Sequence, residues 1–550
     1  MSQPHADLVL TGGPVHTVDP VLGRATSVAV RGGRIAAVGH DEVRELIGPG
    51  TEVVDLAGKM LLPGFQDAHV HPLGAGIELG QCHLAEAREA GEYLRLVGAY
   101  ADAHPGAEWI TGGGWSLDAF PGGTPTAALL DGVVRDRPVF LPNRDHHGAW
   151  VNSRALELAG ISRDTPDPAD GRIERDAGGN PTGMLQEGAL HLVGRLLPPV
   201  TAAERTAALL RAQGVLHSLG VTAWQDAIVG DYANMTDPVS AYHALIADGR
   251  LTARVVGALW WDRSRGAEQI PELLERRDAV SRGRFRAGSV KIMQDGIAEN
   301  GTAALLGPYL TACGCASANS GISFVDPAAL AEHVTELDAL GFQVHFHALG
   351  DRAVREALDA VAAARSANGF RDTRHHLAHL QVVHPDDVAR FRALGATANI
   401  QALWAAHEPQ MDELTLPFLG PERAARQYPF GDLLRCGATL AAGSDWPVSS
   451  PDPFQALHVA VNRRTPDAPA GTPVFLPEQC IDLAAAIAAY TAGSAYANHL
   501  DDTGTVTPGK LADLVVLDRD PFAGPPAEIA ATRVLQTFVG GERVYAAPDA

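Results

Sequence analysis

Two histidines one residue apart, His69 and His71, lie in the stretch LPGFQDAHVHP, with Asp67 two residues before them and a Pro-Gly turn upstream. Alternate residues of an extended strand share a face, so Asp67, His69 and His71 point one way and Ala68 and Val70 the other. Two imidazoles fixed side by side make a pair of metal ligands, because neutral ring nitrogens suit zinc and similar divalent ions. A chain with 22 histidines also produces close pairs by chance, so the remaining residues must decide.

Further residues of ligand type fall in or just after short apolar segments. Lys291 lies in GSVKIMQDG, His345 and His347 in FQVHFHALGD, His379 in HHLAHLQ and Asp445 in ATLAAGSDWP. His347 is preferred over His345 as a ligand because it is nearer the end of its segment. His375 and His376 read as loop or barrel-entry residues. A buried lysine is costly unless paired or neutral. A neutral Lys291 amine can take up carbon dioxide and become a carbamate, an oxygen ligand able to bridge two metals. The competing reading is a salt bridge to Asp295 or Glu299. Asp445 could cap the following element, but in this company it reads as a general base. His147, in DHHGAW, is a candidate oxyanion donor, or else a loop histidine bonded to backbone. Glu187, in MLQEGAL, is a candidate to enter the same site. Trp115, Trp404 and Trp446 are candidate pocket walls for an apolar or aromatic substrate, although each also reads as packing.

These residues need a scaffold that brings distant segments to one point. Alanine-rich helical runs such as DRAVREALDAVAAARS separate apolar segments of strand length. That alternation implies a parallel sheet. Candidate strands follow the His69 strand at 220–227, 253–260, 288–296, 342–351, 375–381, 396–403 and 438–447. Eight strands fit an α/β fold of the (β/α)8 TIM-barrel type, whose C-terminal strand ends converge on the active site. The stretch 75–215 is too long for one connection and is read as an insertion over the barrel mouth. Both chain ends read as short strands with Gly-rich turns, which suggests one small β domain built from both termini.

Bulk composition narrows the partners. The formal charge is -22, with 46% hydrophobic and 20% charged residues. That balance argues against nucleic acid and against anionic membranes. No run approaches a membrane span, and the start MSQPHADLVL carries no signal-peptide pattern. Five cysteines, few and odd in number, fit a reduced cytoplasmic setting. Cys313 and Cys315, in TACGCASANSG, read either as a metal-binding pair or as two incidental thiols.

The motifs LPGFQDAHVHP, VKIMQDG, HALGDRAV, HLAHLQ, AAGSDWPV and GTVTPGKLADLVVLDRDP resemble the amidohydrolase superfamily. More narrowly, with GGGWSLDAF, DHHGAWVNSRAL and NPTGMLQEGAL, they resemble its YtcJ-like (amidohydrolase 3) branch, which includes N-substituted formamide deformylases. The resemblance implies a TIM barrel over 61–500 and a β-sandwich assembled from 1–60 and 501–550. It also implies one or two divalent metal ions, usually zinc. His69 and His71 would hold the more buried ion with Asp445, Lys291 as a carbamate would bridge, and His347 and His379 would hold the second. The expected activity is hydrolysis of a C–N bond in an amide, N-substituted formamide or cyclic amide. Deamination or decarboxylation on the same centre stays open, as does a non-catalytic metal-binding or regulatory role. The expected partner is a small-molecule substrate, with a homodimer left open.

Overall fold

The computed structural model describes residues 5–232, 236–469 and 471–548. Its centre is a parallel sheet of eight strands in sequential order: β1 (Phe65–Val70), β2 (Val221–Val229), β3 (Arg254–Trp260), β4 (Phe285–Met293), β5 (Gln343–Ala348), β6 (His376–His379), β7 (Thr397–Ile400) and β8 (Thr439–Ala442). The sheet curls into a nearly closed barrel. The Asn399 side-chain amide on β7 donates to the Ala68 carbonyl on β1 at 2.9 Å, and β8 packs against β1. Strands buried on both faces read as unbroken apolar runs rather than alternating ones. β2 is buried over all nine residues of VTAWQDAIV, mostly apolar, with Thr222, Gln225 and Asp226 as buried polar members.

Helices such as Pro327–Ala339 and Asp351–Asn368 cover the sheet. One large core runs between the layers and includes Phe65, Trp224, Phe285, Phe342 and Phe346. Burial of an aromatic or large aliphatic side chain contributes about 1.5–3 kcal/mol, so this core dominates the barrel's stability.

Two other sheets hold the barrel's first strand and its mouth. The chain termini form one sheet in which Leu61–Pro63 runs antiparallel to Leu514–Leu517. Its N-terminal member ends just before β1 and so fixes where β1 enters. The long segment between β1 and β2 folds into a six-stranded sheet spanning Cys82–His83 to Pro181–Glu187. It has its own core around Tyr93, Trp115, Phe120 and Trp150. Among the described residues, no helix is long and apolar enough to cross a membrane.

Candidate metal centre

The ends of β1, β5, β6 and β8 meet at one side of a cavity of about 610 Å³. His69, His71, Lys291, His347, His379 and Asp445 all line it. The Nε2 atoms of His69 and His71 each lie 3.0 Å from Asp445 Oδ1, while Asp445 Oδ2 lies 3.9 Å from His379 Nδ1. His69, His379 and Asp445 each offer a ligand atom, and these atoms lie within 4.8 Å of one another. The His347 and His379 ring centroids are 4.4 Å apart.

Local backbone explains how β8 reaches β1. Asp67 Oδ1 accepts the backbone N–H of both His69 and Ser444 at 3.0 Å, and the Asp445 N–H donates to the His69 carbonyl at 2.7 Å. At Gly443 a side chain is excluded, because a Cβ there would sit 2.7 Å from His69 N and Cβ. Asp67 therefore clamps the loop that carries Asp445 instead of facing the cavity. His379 and Asp445 adopt positive φ, 81° and 57°. Such conformations cost roughly 1–3 kcal/mol in non-glycine residues and gather at functional sites.

The donor set fits a divalent metal on two counts. Buried polar atoms normally find a partner, yet both ring nitrogens of His379, Nδ1 of His71 and Nδ1 of His347 have none among the described residues. His347 Nδ1 does lie 3.4 Å from Asp295 Oδ1, but without hydrogen-bond geometry. Protonation also favours binding. Burial, then the nearby Lys291 charge, pushes His69 down to about 3. Burial likewise holds His347 and His379 well below the usual histidine value. Neutral imidazoles are the ligand form. Burial alone would push the Asp445 carboxyl up, but contacts with His69 and then His71 outweigh it and hold it well below the usual carboxylate range.

Lys291 and His345 lie together in the barrel. Lys291 Nζ is 3.5 Å from His345 Nε2, which is 2.8 Å from His69 Nδ1. Burial pushes the Lys291 ammonium down to about 7, against the pull of Asp445. Neither expected salt bridge forms. Asp295 accepts backbone N–H groups from Ala304, Leu349 and Gly350, and Glu299 accepts the Thr415 hydroxyl. His345 is fully buried and backs His69, whereas His347 faces the cavity.

The inserted sheet delivers an ion pair to the same cavity. His147 Nδ1 lies 2.9 Å from Glu187 Oε1 and 3.0 Å from Oε2, and the His147 ring centroid is 5.4 Å from that of His347. Thr302, after β4, donates to Glu187 Oε1 at 2.8 Å. Burial alone would lower the His147 pKa, but the Glu187 charge outweighs it and raises it to about 9. Burial alone would raise Glu187, and the His147 charge holds it at about 2. A cationic N–H donor thus stands beside the histidine cluster.

The tryptophan expectations need correction. Trp115 does not line the cavity. It is buried in the core of the inserted sheet, where its Nε1–H donates to the Leu141 carbonyl at 2.8 Å. Trp446 packs in the barrel core, and its carbonyl accepts the His71 N–H. Trp404 stacks on the His379 ring, with centroids 5.6 Å apart, and so braces that histidine instead of forming a wall. Glu187 is buried behind His147 and is not itself a wall. The aromatic walls are Trp109, Phe140, Tyr232 and Trp260, which sequence reasoning missed. His146, beside His147 in DHHGAW, also lines the cavity and lies 3.0 Å from Glu78. That motif was the available signal for His146, while no local pattern marked the four aromatics.

Comparison with known proteins finds relatives that span nearly the whole chain. Protein LONG AFTER FAR-RED 3 of Arabidopsis thaliana is 34% identical over 551 residues, covering 98% of this chain and 92% of the relative. Putative amidohydrolase YtcJ of Bacillus subtilis is 30% identical over 540 residues, covering 97% and 98%. The N-substituted formamide deformylase of Arthrobacter pascens is 28% identical over 572 residues, covering 98% of each. An uncharacterized metal-dependent hydrolase from Pyrococcus horikoshii superposes with a TM-score of 0.72 at 26% identity, covering 94% of this chain and 99% of that one. The amidohydrolase family model matches residues 52–545, nearly the whole chain. The chain belongs to the amidohydrolase family.

Proposed function

We propose that this protein is a metal-dependent hydrolase that cleaves a C–N bond in an amide, an N-substituted formamide or a cyclic amide. The observation that carries the reading is the convergence of neutral, unpartnered histidine nitrogens and the Asp445 carboxylate on one cavity. The likeness to a relative named as an N-substituted formamide deformylase supports the choice of bond.

His69, His71 and Asp445 would hold one divalent ion, and His347 and His379 a second. The donor set suits zinc. Lys291, with no carboxylate in ion-pair contact among the described residues and inclined to be neutral, would contribute to holding them as a carbamate. When bound, such ions supply Lewis acidity and a water acidified to near neutral pH.

The chain's own residues do the rest. Asp445 Oδ1 faces His69 and His71, on the side where the ion would be held, so Oδ2 is the atom that takes the proton of the attacking water. The same oxygen returns that proton to the leaving nitrogen. His147, tied to Glu187 through Nδ1, turns its Nε2–H toward the oxygen of the scissile carbonyl. A fixed cationic donor of this kind stabilises the oxyanion as charge develops. Phe140, Tyr232 and Trp260 give the cavity an apolar wall that suits an apolar or aromatic nitrogen substituent.

The test is product analysis on a panel of amides, N-substituted formamides and cyclic amides, using zinc-reconstituted protein. Stoichiometric amine and carboxylic acid support the proposal. Release of ammonia or carbon dioxide without the paired acid moves the assignment to deamination or decarboxylation.

A further inference from the structure

The connection between β4 and the helix Pro327–Ala339 carries a small hairpin that the hydrolytic site does not use. Its arms are joined by Tyr309 N–H to the Asn319 carbonyl, Ser317 N–H to the Tyr309 carbonyl and Thr311 N–H to the Cys315 carbonyl, each 2.8 Å. An antiparallel bridge between Leu310 and Ala316 sets the register. The tip turns through Gly314, whose φ of 77° lies in the region that favours glycine, and its N–H closes back on the Thr311 carbonyl at 2.8 Å. Cys313 and Cys315 flank that glycine. Both are exposed free thiols, each within hydrogen-bonding reach of the other. The Thr311 hydroxyl lies 3.1 Å from Cys313 Sγ.

We propose that Cys313 and Cys315 form a reversible dithiol–disulfide site on the surface of this protein, oxidised by low-molecular-weight disulfides. The hairpin ladder and the Gly314 turn keep the two cysteines on either side of one tip residue, so closing the second bond asks for movement at the hairpin tip alone. The Thr311 contact favours the Cys313 thiolate, and hydrogen bonds from Thr311 and Cys315 lower its pKa to about 7, which makes Cys313 the attacking sulfur. The Cys313 thiolate attacks one sulfur of the small disulfide, forming a mixed disulfide and expelling one small thiolate. The Cys315 sulfur then loses its proton and attacks Cys313 Sγ, forming the intramolecular disulfide and expelling the second small thiol. In total two protein thiols are oxidised, one small disulfide is reduced to two thiols, and two hydrogens pass from protein to reagent. Excess dithiol reverses both steps.

The experiment is incubation of the full-length protein with oxidised glutathione, followed by thiol counting and peptide mapping, in parallel with Cys315→Ser and Cys313→Ser. In the parent the proposal expects loss of both thiols, with a Cys313–Cys315 disulfide and no retained glutathione at either. Cys315→Ser should trap glutathione on Cys313. Cys313→Ser should react with glutathione several-fold more slowly. Stable glutathione on Cys313 of the parent would overturn the proposal, as would no reaction at either cysteine, or a disulfide to any other cysteine.

Discussion

Histidines on the same barrel strands meet opposite fates at the two ends of the barrel. Near the base, the ring of His375 accepts the Val344 N–H at Nδ1, 2.9 Å away, and contacts Asp338 through Nε2 at 2.9 Å. His376 lies 2.9 Å from Gln225 Oε1 and 3.2 Å from the Asn399 side-chain amide. At the rim, His379 on the same strand as His376 finds no partner for either nitrogen among the described residues. Burial makes all three neutral, so burial alone does not separate them. What separates them is whether the protein itself satisfies the ring. His375 and His376 are spent on holding strands together, and His379 keeps its lone pair for something the chain does not supply.

That contrast is broken most severely by changing the rim carboxylate. Asp445→Asn should lower kcat/KM by roughly 100- to 10,000-fold, the range of a general acid–base residue, and by more than any accompanying loss of bound metal accounts for. Unchanged turnover would remove Asp445 as the base. His147→Ala should cost roughly 100- to 1000-fold, as loss of an oxyanion donor does. Glu187→Gln should cost less, because the ring survives without its charge partner. Equal rates in all three proteins would assign the pair to fold alone. Lys291→Ala should lose bound metal and activity together, and short carboxylic acids added to the assay should restore part of the rate. Full metal content at normal rates would refute the carbamate.

The base predicts the reverse pattern. Asp338→Asn should leave kcat and metal content unaltered but cost about 1–3 kcal/mol of stability, because it strips a buried network of an acceptor. Burial alone would raise the Asp338 pKa, but hydrogen bonds from His375, Asn368 and Thr373 hold it below the ordinary carboxylate value. A depressed acid stabilises the fold above its unfolded-state pKa, and that stability is lost as pH falls through the folded value. Chemical denaturation below about pH 4 should therefore narrow the gap between parent and variant. A gap that stays constant into acid would mean that Asp338 carries no depressed pKa.

Much of this arrangement was legible in the amino-acid order. All eight barrel strands fall where apolar runs alternate with helical ones, since a strand buried on both faces needs a continuous apolar stretch. The rim residues were legible because ligand types recur at the ends of those runs. The period of two puts His345 and His347 on one face, and position along the strand separates them: the one nearer the strand end reaches the cavity. The inserted sheet was not legible. Most of its strands are only two to five residues long, and Pro181–Glu187 enters between Gly148–Val151 and Gly171–Arg175, an exchange that no local pattern encodes. The tryptophans failed for a related reason. An indole is equally at home in a core or a wall, and only long-range packing sent Trp115 to the first and Trp260 to the second. The role of Asp67 was hidden because its partner, Ser444, lies at the far end of the barrel sequence.

The most direct test of the central claim is divalent metal per folded chain, measured by elemental analysis on zinc-reconstituted parent, His379→Ala and His376→Ala proteins. The account predicts one or two ions in the parent, the same content in His376→Ala, and a clear drop in His379→Ala. A full complement in His379→Ala, or loss confined to His376→Ala, would contradict the division of labour between rim and base.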